Sequence, residues 1–189
     1  EIQMKADIAH LKAATAGVPA EEVFVTAISP TNLEMYFENK YYKSEQEYLF
    51  ALADAMREEY KAIVGAGLVL QVDDPRLITH YNRVPGISLE ENRKFIELRV
   101  EVLNHALRGI PEDRVRFHTC YSINVAPRVH DLEMKHYADL MLKVRAQAYS
   151  IEAANPRHEH EWRIWNEIKL PEEKILIPGV VSHCVYQVE

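Results

Sequence analysis

Short apolar runs alternate with amphipathic segments along most of the chain. Five of these runs are rich in β-branched and aromatic residues and have the length of buried strands. They span residues 23–28, 68–72, 114–118, 148–152 and 175–181. The segments between them carry apolar residues at every third or fourth position, which is the pattern of amphipathic helices. Strands that alternate with helices predict an α/β fold with a parallel sheet.

Helix boundaries are also marked in the sequence. Ser44 with Glu47, and Ser88 with Glu91, have the spacing of capping boxes, so a helix is predicted to begin after each serine. Further helices are predicted over 2–16, from an Asp131 N-cap onward, and from Asn155-Pro156 onward. In the helix that follows Asp131, one face is predicted to carry Met134, Tyr137, Met141 and Val144.

Two architectures fit five parallel βα units, namely an open doubly wound sheet and a (β/α)8 barrel. No glycine-rich loop follows the first strand, which weakens a dinucleotide-binding interpretation. Polar residues instead cluster where several strands end, as they do in barrels. Five strands do not close such a barrel. The whole chain, 1–189, is therefore predicted to be a single domain that forms part of a (β/α)8 barrel.

Composition excludes several classes of partner. The formal net charge of −7 and the lack of a basic cluster predict no binding to nucleic acid or to an anionic membrane. No apolar run approaches the length of a membrane span, and the N-terminus lacks the apolar core of a signal peptide. The chain contains only two cysteines, so a reducing, cytoplasmic location is expected. Because it does not begin with Met, it is expected to be a processed product or a fragment.

His118 and Cys120 form a candidate metal-binding pair at the end of the third strand. Side chains two residues apart in a strand lie on the same face, so both could reach one cation. Zinc prefers this mixture of imidazole and thiolate. The alternative is a packed core cysteine beside a hydrogen-bonded histidine, and for an isolated pair of this kind the alternative is the commoner outcome.

Other strand ends carry candidates of the same type. Glu152 ends the next strand and could supply an oxygen ligand, or could accept bonds from a following helix N-terminus. Cys184, beyond the fifth strand, is a possible additional ligand or an ordinary loop thiol. Asp73 and Asp74 could hold an ammonium group, perform acid–base chemistry or begin a loop.

The segment His158-Glu-His-Glu161 has the composition of a metal motif. It is predicted to lie in the first turn of a helix, where residues two apart do not share a face. We therefore expect it to be an ordinary solvated or packed segment.

Four segments resemble one family. Arg116-Phe-His-Thr-Cys-Tyr121 and the segment from Tyr149 to Trp162 resemble the C-terminal catalytic barrel of cobalamin-independent methionine synthase. Gln71-Val-Asp-Asp-Pro75 resembles the Gln-Ile-Asp-Glu-Pro strand end of that family, and Lys174-Ile-Leu-Ile-Pro-Gly-Val-Val181 resembles its next-to-last strand. The likeness extends from about residue 23 to residue 189. It is closer to the shorter relatives, which include epoxyalkane–coenzyme M transferase.

The resemblance implies a (β/α)8 barrel with a catalytic zinc. By position, His118, Cys120 and Glu152 match the His, Cys and Glu ligands of the family, and Asp73 matches the aspartate that contacts the homocysteine amino group. The remaining cysteine ligand of the family lies in an Asp-Cys-Gly strand, which this chain, ending at Glu189, does not reach. Cys184 does not match it.

The expected activity is alkylation of a substrate thiol held as a thiolate. The acceptor is homocysteine or a coenzyme M-like thiol, and the donor is a methyl or alkyl compound such as methyltetrahydrofolate. Asp73 suits an amino-acid thiol, whereas Arg83 or Arg128 would suit a sulfonate, so the sequence leaves both acceptors open. Epoxyalkane–coenzyme M transferase chemistry is one alternative. A truncated, non-catalytic relative that forms a homo-oligomer through open strand edges is another.

Overall fold

The computed structural model describes residues 2–19, 23–121 and 130–182. Its strands are β1 Phe24–Ile28, β2 Val69–Asp73, β3 Val115–His118, β4 Ala148–Glu152 and β5 Ile175–Gly179. The α-helices are α1 Ile2–Ala14, α2 Pro30–Leu33, α3 Glu45–Gly65, α4 Arg76–Arg83, α5 Leu89–Ala106 and α6 Ala138–Met141. Short 3-10 helices span Glu112–Arg114, Met134–His136 and Glu159–Asn166.

All the strands are parallel and belong to one sheet. Their order, β1-β2-β3-β4-β5, follows the order along the chain. A doubly wound sheet reverses its order at a switch point, and this sheet does not. Because parallel crossovers are right-handed, sequential order places the connecting helices on one face of the sheet, as in a (β/α)8 barrel. The predicted α/β fold with about five barrel strands is confirmed.

The two faces of the sheet differ in burial because successive strand side chains alternate. One face packs against the helices and includes Ala27, Leu70, Val72, Phe117 and Tyr149, all of which are buried. The helices supply buried apolar side chains from α3 and α5 to the same core, among them Leu49, Tyr60, Ile63, Ile96 and Leu103. On the opposite face the side chains of Gln71, Asp73, Arg116, His118 and Ser150 are only half-buried. We call this second surface the open face.

Both predicted capping serines begin long helices. Ser88 forms a complete capping box with Glu91 at the start of α5. At the start of α3 the Ser44 hydroxyl accepts a bond from the Glu47 amide, but the Glu47 carboxylate accepts from the amide of Lys43. Both arrangements bind amide groups that the first helical turn leaves without intrahelical partners.

Two predicted helices are wrong. The segment after Asp131 forms a 3-10 turn and the short α6 instead of one long helix, although Met134, Tyr137, Met141 and Val144 are buried as predicted. The Asp131 carboxylate does not cap a helix, since it lies 3.1 Å from the ring of His158. The helix expected to start at Asn155-Pro156 is a 3-10 helix that begins at Glu159.

Across the described ranges, no helix combines the length and the apolar character that crossing a membrane requires.

Candidate functional site

The predicted site residues lie at the carboxyl edge of the sheet. Parallel pairing places Asp73 of β2 beside His118 of β3, and His118 beside Ser150 of β4. The ladder continues one residue further, because the Thr119 amide donates to the Ser150 carbonyl at 3.1 Å. Cys120 and Glu152 follow His118 and Ser150 by two residues each, so they share the next level of this edge.

One cavity of about 310 Å³ opens at this edge. His118, Cys120 and Glu152 line it together with Ser150, and β5 contributes Gly179 to its wall. The three residues predicted as metal ligands, from two neighbouring strands, are thus all among the residues that line this cavity. Asp73 is outside the lining set but adjoins His118 in the strand register.

Neighbouring groups orient two of these side chains. The Nδ1 atom of His118 lies 3.3 Å from the Ser150 hydroxyl. The Oε2 atom of Glu152 accepts a hydrogen bond of 2.8 Å from the backbone amide of Tyr121. Cys120 is half-buried and lines the same cavity. Contacts of this kind fix the rotamers of histidine and carboxylate ligands in metal sites.

The donor set fits zinc by chemical type, since imidazole, thiolate and carboxylate are its usual protein ligands. Within residues 2–19, 23–121 and 130–182, however, no three His, Cys, Asp or Glu side chains are close enough to form a ready-made metal site. Cys184 and Arg128 lie outside the described residues, so the structure does not place them. Arg83 ends α4 and is not among the described residues that line the cavity.

The two adjacent aspartates have different environments. Asp73 lies on the open face, where its Oδ1 atom accepts a bond of 3.0 Å from the Gln71 amide. Asp74 is fully buried, and it accepts bonds from the Thr31 hydroxyl at 2.5 Å and from the Leu77 amide at 3.1 Å. Burial raises the pKa of the Asp74 carboxyl, although these hydrogen bonds oppose the rise. Asp74 therefore joins α2 to the start of α4, and only Asp73 is available to a ligand.

His158 belongs to a buried charge cluster that sequence reasoning missed. His158 lies between two carboxylates, with Nε2 at 3.1 Å from Asp131 and Nδ1 at 3.3 Å from Glu161. The ring of Tyr121 stacks on the His158 ring at a centroid distance of 3.7 Å. The missed signal was the spacing of three residues between His158 and Glu161, which places both on one side of a helical turn.

The charge state of His158 follows from this environment. Burial alone lowers the pKa of the imidazole, but hydrogen bonding and the negative charges of Asp131 and Glu161 raise it to about 9. Arg157 also approaches Asp131, at 3.1 Å. At neutral pH the cluster therefore contains a protonated histidine held between two carboxylates.

Comparison with known proteins gives a consistent group of relatives. The methionine synthase of Sulfurisphaera tokodaii is 32% identical over 102 residues, which cover 53% of this chain and 26% of that protein. A Saccharolobus islandicus methionine synthase is 30% identical over 113 residues, 58% of this chain and 30% of that protein. That of Pyrococcus horikoshii is 27% identical over 165 residues, 86% of this chain and 40% of that protein. The chain is similar to methionine synthases over part of their length.

The chain spans between about a quarter and two fifths of the length of those relatives. No protein-family model matches it. Among solved structures, Old Yellow Enzyme from Pichia sp. AKU4542 covers 93% of this chain with 56% of its own, at 15% identity and a TM-score of 0.44. A match at this level adds nothing to the strand order described above.

Proposed function

We propose that this protein is a thiol-alkylating transferase of the methionine synthase type. In this proposal a substrate thiol such as homocysteine binds at the cavity and receives a methyl group from a donor such as methyltetrahydrofolate. The observation that carries the proposal is that His118, Cys120 and Glu152 all line one cavity, in a chain that is similar to methionine synthases.

The chemical problem is the low nucleophilicity of a neutral thiol. A free thiol has a pKa of about 8.5, so at neutral pH most of it keeps its proton. A zinc ion bound by His118, Cys120 and Glu152 would lower that pKa and keep the substrate sulfur as a thiolate. The thiol proton leaves to solvent, the sulfur forms a bond to the methyl carbon, and the bond between that carbon and the donor breaks.

The surrounding residues prepare the site for this reaction. The contact between Ser150 and His118 Nδ1 directs the other ring nitrogen of His118 away from Ser150. The Tyr121 amide holds one oxygen of Glu152 in the wall of the cavity. Asp73, which is paired with His118 in the strand register, would accept a hydrogen bond from the ammonium group of an amino-acid thiol. Adjacent strands are about 4.8 Å apart, so a short thiol could reach both groups.

Zinc binding tests the proposal directly. We expect the purified protein to bind zinc, and we expect His118→Ala and Cys120→Ala to weaken binding by roughly tenfold or more, because each removes a ligand. Competition with a chromophoric chelator measures the affinity. His10→Ala is the matched control, since His10 is exposed on α1. Equal zinc affinity in the His118 and Cys120 variants and in wild type would overturn the proposal, and Cys184→Ala reports whether that thiol contributes.

A further inference from the structure

A chain of polar contacts crosses the open face just below the candidate site. Gln71 and Arg116 are paired neighbours in the register of β2 and β3. The Gln71 amide nitrogen donates to Asp73 Oδ1 at 3.0 Å, and the Gln71 carbonyl oxygen accepts from Arg116 Nη1 at 3.4 Å. The Arg116 guanidinium lies over the Phe24 ring, 4.5 Å from its centroid. Contacts across three strands therefore end on the carboxylate of Asp73.

The charges on either side determine the orientation of the Gln71 amide. If the amide were reversed, its oxygen would face the Asp73 carboxylate and its NH₂ group would face the Arg116 guanidinium, and both contacts would be repulsive. The observed orientation has a donor against the acceptor at each end. Cation–π contact with Phe24 holds Arg116 in turn. The rotamer of Asp73 is thus restrained from the side opposite the cavity edge.

The neutral amide of the Gln71 side chain also leaves the negative charge of Asp73 available to a ligand. A direct Arg–Asp ion pair would bind the carboxylate through both of its oxygens and neutralise it. Here Gln71 separates the two charged groups and uses only Oδ1. Among the described residues, no group donates a hydrogen bond to Oδ2 of Asp73. An oriented carboxylate with one oxygen open is suited to bind a cation such as an ammonium group.

We propose that Gln71 and Arg116 are positioning residues that make the site selective for thiols bearing an amino group. This inference rests on the proposed function, because it assigns the role of Asp73 within that site. Gln71 holds the carboxylate toward the ligand, and Arg116 fixes the direction of the Gln71 amide. Loss of Gln71 releases Asp73, and the preference for the amino thiol falls while binding of the sulfur persists.

The test compares two thiols that differ in one group. Homocysteine carries the ammonium group, and 4-mercaptobutanoic acid lacks it but has the same chain and carboxylate. Calorimetry on the zinc-loaded protein gives both dissociation constants, and their ratio is the amino preference. Loss of one charged hydrogen bond costs about tenfold in affinity.

We expect Gln71→Met to lower the ratio about tenfold by weakening homocysteine binding alone, and Arg116→Met to lower it several-fold. Gln71→Glu keeps the size of the side chain but repels Asp73, so the ratio should fall at least as far. Thr26→Val is the control, because Thr26 pairs with Gln71 in the register of β1 and β2 and, among the described residues, donates no hydrogen bond to Asp73.

The outcomes separate this inference from the proposed function. If Asp73→Asn abolishes the preference while Gln71→Met and Gln71→Glu leave it intact, the positioning role is wrong and the function stands. Equal weakening of both thiols in the Gln71 variants means a purely structural role and also overturns the inference. If circular dichroism shows that Gln71→Met does not fold, the ratio of dissociation constants measured for Gln71→Glu tests the inference instead. An unchanged ratio in Asp73→Asn also overturns the inference, whereas binding of neither thiol by wild type contradicts the proposed function itself.

Discussion

His158 is a buried imidazole held between two carboxylates. Its pKa in the folded state, about 9, lies above the ordinary value of 6.5 because Asp131 and Glu161 face it, with Arg157 and the ring of Tyr121 nearby. A histidine whose pKa is raised on folding contributes its full stability below the unfolded pKa. That contribution is lost as the pH rises through the folded value. Stability should therefore decline between pH 6.5 and pH 9.

We predict that His158→Gln removes most of this decline. The expected difference is on the order of 1 to 3 kcal/mol in the free energy of unfolding between pH 6 and pH 9.5. Urea denaturation at each pH measures it. His160→Gln is the control, because His160 is exposed on the same 3-10 helix. A decline of the same size in the His158 and His160 variants would show that the buried proton does not stabilise the fold.

At the scale of single residues, the sequence predicted those positions that follow from the alternation of side chains between the two faces of a strand. His118, Cys120 and Glu152 could be placed together because strand side chains two apart share a face and parallel strands end at one edge. The roles of Gln71 and His158 could not be predicted. Each depends on contacts between residues distant in sequence, Gln71 with Arg116 and His158 with Asp131, and no local pattern encodes such a pairing.

At the level of the helices, one buried arginine joins three elements. Arg99 of α5 is only 3% exposed and pairs with Glu34, which follows α2, at 3.0 Å. It also binds Glu45, the first residue of α3, and lies over the Phe95 ring. Removing one member of a buried pair leaves the partner charge desolvated, at a cost of several kcal/mol.

We therefore predict that Arg99→Met destabilises the protein by about 3 kcal/mol. Arg93→Met, on the same helix, should cost no more than about 1 kcal/mol, because its ion pair with Asp139 is exposed to solvent. Urea titration of the two variants gives the comparison. Losses of equal size would mean that Arg99 does not join the helices as described.

Element boundaries were predictable where periodicity and capping agreed. The strand at 148–152 has the predicted bounds, and α3 and α5 begin directly after the two capping serines. The short helices α2 and α4 were missed, although Ser29-Pro30 and Asp74-Pro75 carry the polar residue and proline that precede helices. The long helix expected after Asp131 did not form, and the carboxylate expected to cap it instead pairs with His158 and accepts a hydrogen bond from Asn82.

For the whole molecule, the sheet ends in two edge strands with which no further strand of the described residues pairs. β1 pairs only with β2, and β5 pairs only with β4. Ile175 of β5 is 50% exposed. Open edges with apolar side chains promote pairing between chains. We expect the protein to associate with itself as its concentration rises, and we expect Ile175→Lys to reduce this association.

Sedimentation velocity over a range of concentrations measures that effect. Val18→Lys introduces the same charge at a site that is 47% exposed and lies outside the sheet, so it serves as the control. Equal behaviour of the two variants would exclude association through the β5 edge.

The sequence also indicated the architecture of the whole molecule. Strands alternating with helices, without a glycine-rich loop, favoured a barrel over a doubly wound sheet, and the sequential strand order agrees. The sequence could not show which strands pair with the two edge strands. Such pairing depends on residues that are remote in the chain or belong to another chain.

The alternation of faces along β3 limits how this site can change during evolution. Insertion or deletion of one residue between Val115 and His118 would turn Phe117 toward the open face and His118 into the apolar core. Length changes are therefore confined to the segments beyond the strand ends, whereas exchanges of one side chain for another on the open face preserve the fold. Such a site diversifies in its chemistry by substitution, and in its substrates by variation of the loops above it.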